Sequence, residues 1–344
     1  MNQFASEGKK MKLTNREMSS FLMYRMTKPT ETHTIPDTFP NRVPISDSVA
    51  LEKHLRNSVE NSVGGGTALA LSGGIDSAIL AKFMPKGSIA YTFKCIVPGV
   101  QVTDESPAAA RYAEECGLQH KIVEIYWEDF ERYADELMLQ KGAPIHSIEV
   151  QIYKAALQAK EDGIDTLIFG EAADAVYGGL SGLLSKDWKI GEFIQRYSFL
   201  LPYLVLKDAE LPTEPYKQWE NKGIIDPHQF ISNVFIQESV ASYLNAAKLA
   251  GVRMVLPYPE TYLAGDIDYQ RIRSGENKYL VREVFKRLYP DFEIPPKTPM
   301  PRPMNEWFKD WQGPTRGEFW QNCVDNLTGD QKWLVWILER YLNL

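Results

Sequence analysis

Residues 69–77, Leu-Ala-Leu-Ser-Gly-Gly-Ile-Asp-Ser, decide the fold, because they set a glycine turn and an acid between an apolar strand and a helix. Ala68, Leu69, Ala70 and Leu71 are apolar without a break, as in a strand buried on both faces, and from Ser77 onward Ala78, Ile79, Leu80 and Ala81 run on as a helix. Ser72, Gly73 and Gly74 fill the turn. Two glycines permit positive φ and a close approach of backbone to ligand, so N–H groups can converge on an anion, joined by the hydroxyls of Ser72 and Ser77. Asp76 is then the odd residue. A carboxylate beside a phosphate site is repulsive unless a cation lies between, so Asp76 reads as a Mg²⁺ ligand. The loop lacks the Gly-Lys-Ser/Thr of a Walker A sequence and the Gly-x-Gly-x-x-Gly of dinucleotide folds.

A second apolar strand, Ile164-Asp165-Thr166-Leu167-Ile168-Phe169-Gly170, runs into Glu171-Ala172-Ala173-Asp174-Ala175-Val176-Tyr177-Gly178-Gly179. Capping a helix start accounts for either acid alone but not for the glycine pair behind them. Carboxylates at the C-terminal edge of a parallel sheet stand where open α/β sheets bind ligands. Between the two motifs the pattern alternates. Strands are expected at 67–71, 89–97, 121–125 and 164–169, and helices from Ser77, at 106–116 and at 148–162. Such alternation predicts a parallel sheet with helices on both faces. From Leu180 to Trp336 the pattern turns helical and aromatic. Residues 1–60 read as an N-terminal extension and linker-like segment, and 61–344 as one large domain.

Composition narrows the partners. A net charge of -7 gives no nucleic-acid footprint, and three dispersed cysteines fit neither a disulfide framework nor a Cys-x-x-Cys site. No apolar run is long enough to span a bilayer, and no secretory leader is evident, so a cytoplasmic protein without a membrane partner is expected. Asp104 reads as an N-cap with Glu105 in the first turn, and His120 as a structural residue.

The loop resembles the Ser-Gly-Gly-x-Asp-Ser loop of the PP-loop ATP pyrophosphatases, which implies an adenine nucleotide alpha hydrolase-like fold. The second segment resembles the Gly-Glu-Gly-x-Asp-Glu-x-x-Gly-Gly-Tyr stretch of class B asparagine synthetases and their β-lactam synthetase relatives. Glu276-Asn277-Lys278-Tyr279-Leu280-Val281-Arg282 is similar to that family's Lys-x-x-Leu-Arg helix, and Lys297, Pro303 and Trp307 keep the spacing of its Lys-x-Gly-Phe-x-x-Pro-x-x-x-Trp run. The resemblance extends over roughly residues 16 to 312.

It implies ATP and Mg²⁺, the metal shared by Asp76 and Asp174. Leu71, Ser72, Gly73, Gly74, Asp76, Ser77, Cys95 and Gly170 would contact the nucleotide, although a buried core thiol is the commoner role for Cys95. Glu171 would face the reacting substrate, and Lys297 would supply positive charge to the phosphates and the acyl-adenylate. The implied activity is an ATP-dependent amide-forming ligase that adenylylates a small-molecule carboxylate and transfers the acyl group to ammonia or an amine. A β-lactam synthetase-like or other biosynthetic amide ligase or cyclase on a specialised substrate is an alternative, and a catalytically silent nucleotide-binding partner subunit is another. The family's glutaminase begins with a cysteine after the initiator Met, whereas this sequence starts Met1-Asn2-Gln3. Glutamine hydrolysis is therefore not expected of this chain, and a separate glutaminase or pathway partner is the partner implied.

Departures from the pattern fall on the substrate side. Ala172 stands for a family glycine, Ala175 for a glutamate and Leu180 for a tyrosine, while His146, Ser147 and Glu149 occupy the stretch where a substrate-facing arginine is expected. The loss of a carboxylate-binding arginine is costly to a site built around it.

Overall fold

The computed structural model describes residues 12–296 and 300–344. Five parallel strands form the central sheet: β1 (Thr67–Ala70), β2 (Ile89–Cys95), β3 (Gln119–Ile125), β4 (Thr166–Ile168) and β5 (Arg253–Val255). Their spatial order is β3-β2-β1-β4-β5. The chain thus winds outward from β1 in one direction, then returns to β1 and winds outward in the other. β1 lies at the centre, with Leu69 opposite Ala90 on one side and Ile168 on the other, and all four of its residues are buried. An uninterrupted apolar strand suits that place, since each fully buried large aliphatic side chain contributes about 1.5–3 kcal/mol.

Ten helices are used below. They are α1 (Asn15–Tyr24), α2 (Ser48–Ser62), α3 (Ile75–Ala81), α4 (Ser106–Cys116) and α5 (Trp127–Lys141), followed by α6 (Ser147–Glu161), α7 (Ala173–Tyr177), α8 (Ile236–Ala250), α9 (Tyr279–Leu288) and α10 (Gly329–Asn343). One layer packs α3 against α4 and carries α9 and α2; the other packs α6 against α5 and α8. Reversal of the winding direction at β1 sends the crossover helices to opposite faces of the sheet. The C-terminal part is helical apart from short strands, of which Trp188–Lys189, Glu220–Asn221 and Ile224–Ile225 form a small antiparallel sheet. Phe21, Leu22 and Tyr24 of α1 are buried in the same core as β1 and α10.

The alternation read from the sequence holds, with shifted edges. α3 begins at Ile75, two residues before Ser77, and the strand expected at 89–97 stops at Cys95. α5 and β5 were not anticipated. α5 buries Phe130, Ala134, Leu137 and Met138, a helical stripe, while β5 has only three residues and no alternation to detect. No helix among the described residues is long and apolar enough to cross a membrane.

The expectation that the loop glycines use positive φ is corrected: neither Gly73 nor Gly74 does. They serve close approach instead. A Cβ on Gly73 would stand 3.1 Å from Ala108 Cβ, and one on Gly74 3.3 Å from Ser72 Oγ. Gly170, at the end of β4, is tighter, since a Cβ there would stand 2.9 Å from Ser77 N and 3.1 Å from Asp76 C. The β4 end therefore rests on the backbone of α3. Gly170→Ala is expected to force the two apart and lower unfolding free energy by about 1–3 kcal/mol, read from urea denaturation. An unchanged midpoint would show that this joint tolerates a side chain.

Candidate active site

In a sheet wound this way, ligands bind in the crevice beyond the carboxyl ends of the strands where the winding reverses, here between β1 and β4. A cavity of about 350 Å³ opens at that point. Its walls include Ala70, Leu71, Ser72, Asp76 and Ser77 after β1, and Gly170 through Ala175 after β4. Ser72 and Ser77 close the loop: Ser72 N–H donates to Ser77 Oγ (3.0 Å), the two hydroxyls lie 3.0 Å apart, and Gly74 N–H donates to Ser72 Oγ (3.1 Å). Leu71 N–H donates to Tyr91 O (2.8 Å), which ties the strand end to β2. Tyr258 Oη donates to Asp76 O (3.0 Å), which fixes the first turn of α3. Glu105 also lines the cavity and accepts a hydrogen bond from Gly73 N–H. Burial pushes its carboxyl up to about 7, and the Gly73 bond opposes that rise.

Asp76 and Asp174 come from opposite sides of the switch point and converge on one ammonium. Lys278 Nζ lies 2.9 and 2.7 Å from the two Asp76 oxygens and 3.0 Å from Asp174 Oδ1. Its side chain is 8% exposed. Burial works against its charge, but the two carboxylates outweigh burial and hold the amine above its ordinary range. Lys278 takes a left-handed backbone (φ 52°) at the start of α9, which aims it inward. Gly178 and Gly179 make room for this arrangement. Gly178 ends α7 at φ 77°, and a Cβ on Gly179 would overlap Asp174 Oδ1.

The donor set fits Mg²⁺, a hard ion commonly held by one or two carboxylates with the remaining positions left to phosphate oxygens and water. Among the described residues no cluster of three or more acidic, histidine or cysteine side chains offers an all-protein metal cage.

Glu171 stands further along the wall. Ser239 Oγ donates to its Oε1 (2.5 Å), and Tyr243 adds a second hydrogen bond. Burial holds its carboxyl above the ordinary carboxylate range, with those two hydrogen bonds working the other way. Beyond it lie Arg25, His146 and Arg302. Burial, then Arg25 and Arg302, hold the His146 imidazole well below its ordinary range, so it is neutral.

Of the residues singled out in the sequence, Leu71, Ser72, Asp76, Ser77, Gly170, Glu171 and Asp174 meet around this cavity, while Gly73 and Gly74 form the turn behind it. Cys95 stands apart, buried, with Sγ donating to Pro301 O (3.2 Å). The β2 residues that reach the cavity are Tyr91 and Phe93. Lys297 lies outside the described residues. Asp104 accepts from Ser106 N–H and pairs with Lys94, although Glu105 holds the N-cap position; His120 is hydrogen-bonded to Thr92. Sequence reasoning missed Lys278, Glu105, Arg25, Arg302, Ser239 and Tyr243. Lys278, Glu105 and Arg302 lay within motifs already quoted, and Arg25, Ser239 and Tyr243 did not.

A Ser-Gly-Gly-Ile-Asp-Ser turn between β1 and α3, at the switch point of a β3-β2-β1-β4-β5 sheet, defines a PP-loop fold of the adenine nucleotide alpha hydrolase type. Residues 50–250 match the asparagine synthase family, and the chain belongs to it. It is 29% identical over 138 residues to a Methanocaldococcus jannaschii protein described as a glutamine-hydrolysing asparagine synthetase, the match covering 38% of this chain and 24% of that protein. Solved structures with some likeness include the NH3-dependent NAD synthetase of Campylobacter jejuni (18% identity, 38% of this chain and 58% of that one, TM-score 0.25). They also include the U34-tRNA thiolase of Methanococcus maripaludis (17%, 73% and 83%, TM-score 0.26) and the NMN synthetase of Francisella tularensis (12%, 74% and 100%, TM-score 0.27). Family membership supports an ATP-dependent, ligase-type function.

Two outcomes test the electrostatics. Lys278→Met leaves two carboxylates facing each other without their shared ammonium, and breaking a buried ion pair on one side typically costs about 3–5 kcal/mol. Urea unfolding should show that loss, and Mg²⁺ should stabilise the variant more than the parent protein. Equal stability of the two proteins would count against a structural role for the bridge. Glu105 is largely neutral below about pH 7 and charged above it. Between pH 6 and 8, ATP affinity should therefore fall more in the parent than in Glu105→Gln, as measured by equilibrium binding. Identical pH profiles would remove Glu105 from the phosphate environment.

Proposed function

We propose that the protein is an ATP-dependent amide-forming ligase that adenylylates a small-molecule carboxylate and passes the acyl group to ammonia or an amine. The observation that carries this reading is a single cavity shared by the serine-glycine loop, the convergent Asp76 and Asp174, and the buried carboxyl of Glu171. In this reading residues 61–344 are the synthetase unit and residues 1–60 an extension.

A substrate carboxylate oxygen attacks the α-phosphorus of ATP, and the bond to the pyrophosphate breaks. Pyrophosphate leaves toward the turn of Ser72, Gly73, Gly74 and Ser77, with Leu71 and Gly170 completing the nucleotide wall. Asp76 and Asp174 would hold Mg²⁺, which when bound neutralises polyphosphate charge. Lys278 orients both carboxylates. In the second half the amine nitrogen attacks the acyl carbon, Glu171 takes its proton, and AMP departs. Lys297 is assigned the positive charge that meets the negative charge developing in both halves. A carboxyl raised by burial suits Glu171, because it stays a stronger base than an exposed glutamate once ionised. A cytoplasmic location follows from the ATP requirement.

ATP should be converted to AMP and pyrophosphate, and ATP–pyrophosphate exchange should depend on an added carboxylic acid. Asp76→Asn should abolish exchange while keeping the fold, since Asp174 still pairs with Lys278. Acyl transfer should accept ammonia or a free amine and rise with pH through a value above the ordinary carboxylate range, the rise vanishing in Glu171→Gln. ADP and inorganic phosphate as stoichiometric products would sink the reading.

A further inference from the structure

Asp76 and Asp174 line the cavity, and Lys278 does not. The ammonium reaches the pair from behind: its side chain is 8% exposed, against 20% for Asp76 and 29% for Asp174. Its Nζ stands 2.9 and 2.7 Å from the two Asp76 oxygens and 3.0 Å from Asp174 Oδ1. A cation therefore sits at these carboxylates before any metal arrives.

That cation is held in place. Arg282 fixes the turn ahead of it, with Nε donating to Asn277 O (2.7 Å) and Nη2 to Asn277 Oδ1 (2.6 Å). Arg282 N–H donates to Lys278 O (2.9 Å), and the Arg271 guanidinium lies 4.3 Å over the ring of the next residue, Tyr279. On the other side Tyr258 holds the Asp76 backbone, and Asp174 lies against Gly179. A side chain tied at its backbone and buried along its length stays where it is when a second cation comes.

Mg²⁺ is held at about 2.0–2.1 Å from its oxygens, so an ion bound to Asp76 would lie within about 5 Å of the ammonium. At that separation a divalent and a monovalent cation repel strongly, because protein rather than bulk water lies between them. Free Mg²⁺ thus meets carboxylates whose charge is already partly neutralised. Polyphosphate removes the conflict, since its oxygens take remaining metal positions and bring negative charge to both cations. We propose that Lys278 is a fixed counter-cation that makes metal binding conditional on nucleotide: Asp76 and Asp174 hold Mg²⁺ only together with polyphosphate. Such coupling is reciprocal, so metal and nucleotide raise each other's affinity by the same factor. It also sets how the ion departs: when pyrophosphate leaves, the metal leaves with it. The proposal rests on the ATP-binding part of the ligase reading and on no carboxylate or amine.

The test uses the full chain with Mn²⁺ in place of Mg²⁺, and free Mn²⁺ is measured by electron paramagnetic resonance, a readout of binding rather than turnover. The nucleotide is α,β-methylene-ATP, whose α–β link cannot be cleaved. The parent protein should bind Mn²⁺ weakly alone, and the Mn²⁺–analogue complex at least about 10-fold more tightly than either component. Lys278→Met should raise nucleotide-free Mn²⁺ affinity about 10- to 100-fold and shrink the coupling accordingly. Lys278→Arg keeps a positive charge at the carboxylates, so its nucleotide-free affinity should stay within about threefold of the parent's.

A role confined to holding the fold would lower the stability of Lys278→Met and leave the coupling unchanged, and that result would overturn the proposal. Equal nucleotide-free Mn²⁺ affinity in the parent and Lys278→Met would overturn it as well. Should Lys278→Met not fold, the parent decides alone: Mn²⁺ bound as tightly without the analogue as with it ends the proposal. No binding of the analogue to any of these proteins would sink the ATP reading instead, and the nucleotide-free comparison of the parent with Lys278→Met would still decide what the lysine does.

Discussion

Asp76 and Asp174 belong to different halves of the sheet, and a single buried ammonium joins them. Without it, two carboxylates that each lie within hydrogen-bonding reach of one atom would repel by several kcal/mol, about 3 or more at an effective dielectric of about 20. That repulsion would act directly on the crevice between β1 and β4. With it, the two strand ends are pulled together, so the serine-glycine loop and the Glu171 turn face one cavity. Lys278 reaches this point from a left-handed backbone that costs an L-residue about 1–2 kcal/mol, less than the attraction to two carboxylates supplies. A residue distant in sequence from both motifs thus sets the distance between them.

Packing imposes the same geometry a second time. The β4 end can lie on α3 because Gly170 has no side chain, and Asp174 can fold over Gly179 for the same reason. Ala172, between them, keeps a left-handed backbone at φ 70° although it carries a Cβ. The strain persists at a position where the related motif has glycine, and the buried neighbours Ala173 and Val176 hold the turn in that shape. The loop that presents Glu171 is therefore rigid by construction.

The end of the cavity formed by the serine-glycine loop was legible in the sequence because its parts are local. A strand, a serine-glycine turn and an acid within nine residues can be read together, and so can Glu171, Asp174 and the glycine pair. The other end was not legible. Arg25, Glu238 and Arg302 are separated by more than fifty residues at every step, and each looks like an ordinary surface charge until the fold buries it. The sequence does show that an arginine is missing near residue 146. It has no means of showing that His146, at that place, is met by two arginines from elsewhere. α5 escaped for another reason: its apolar stripe is carried on a strongly charged helix.

This division has a physical logic. Polyphosphate is the same in every reaction that consumes ATP, so the groups that meet it can be held in short, contiguous motifs on the sheet. On the proposed reading the acyl substrate occupies the other end of the cavity, whose residues come from α1, α8 and the segment after α9; α1 and that last segment lie outside the β–α units of the sheet, whereas α8 is the helix that leads into β5. Such segments can change their side chains without disturbing β1 or β4. Glu171 stands at the boundary, attached to β4 yet bonded by Ser239 and Tyr243 of α8. A substitution that moves α8 would therefore reach the Glu171 carboxyl before it reached the serine-glycine loop, so on the proposed ligase reading a change at this end is coupled first to the amine step and only secondarily to the cleavage of ATP.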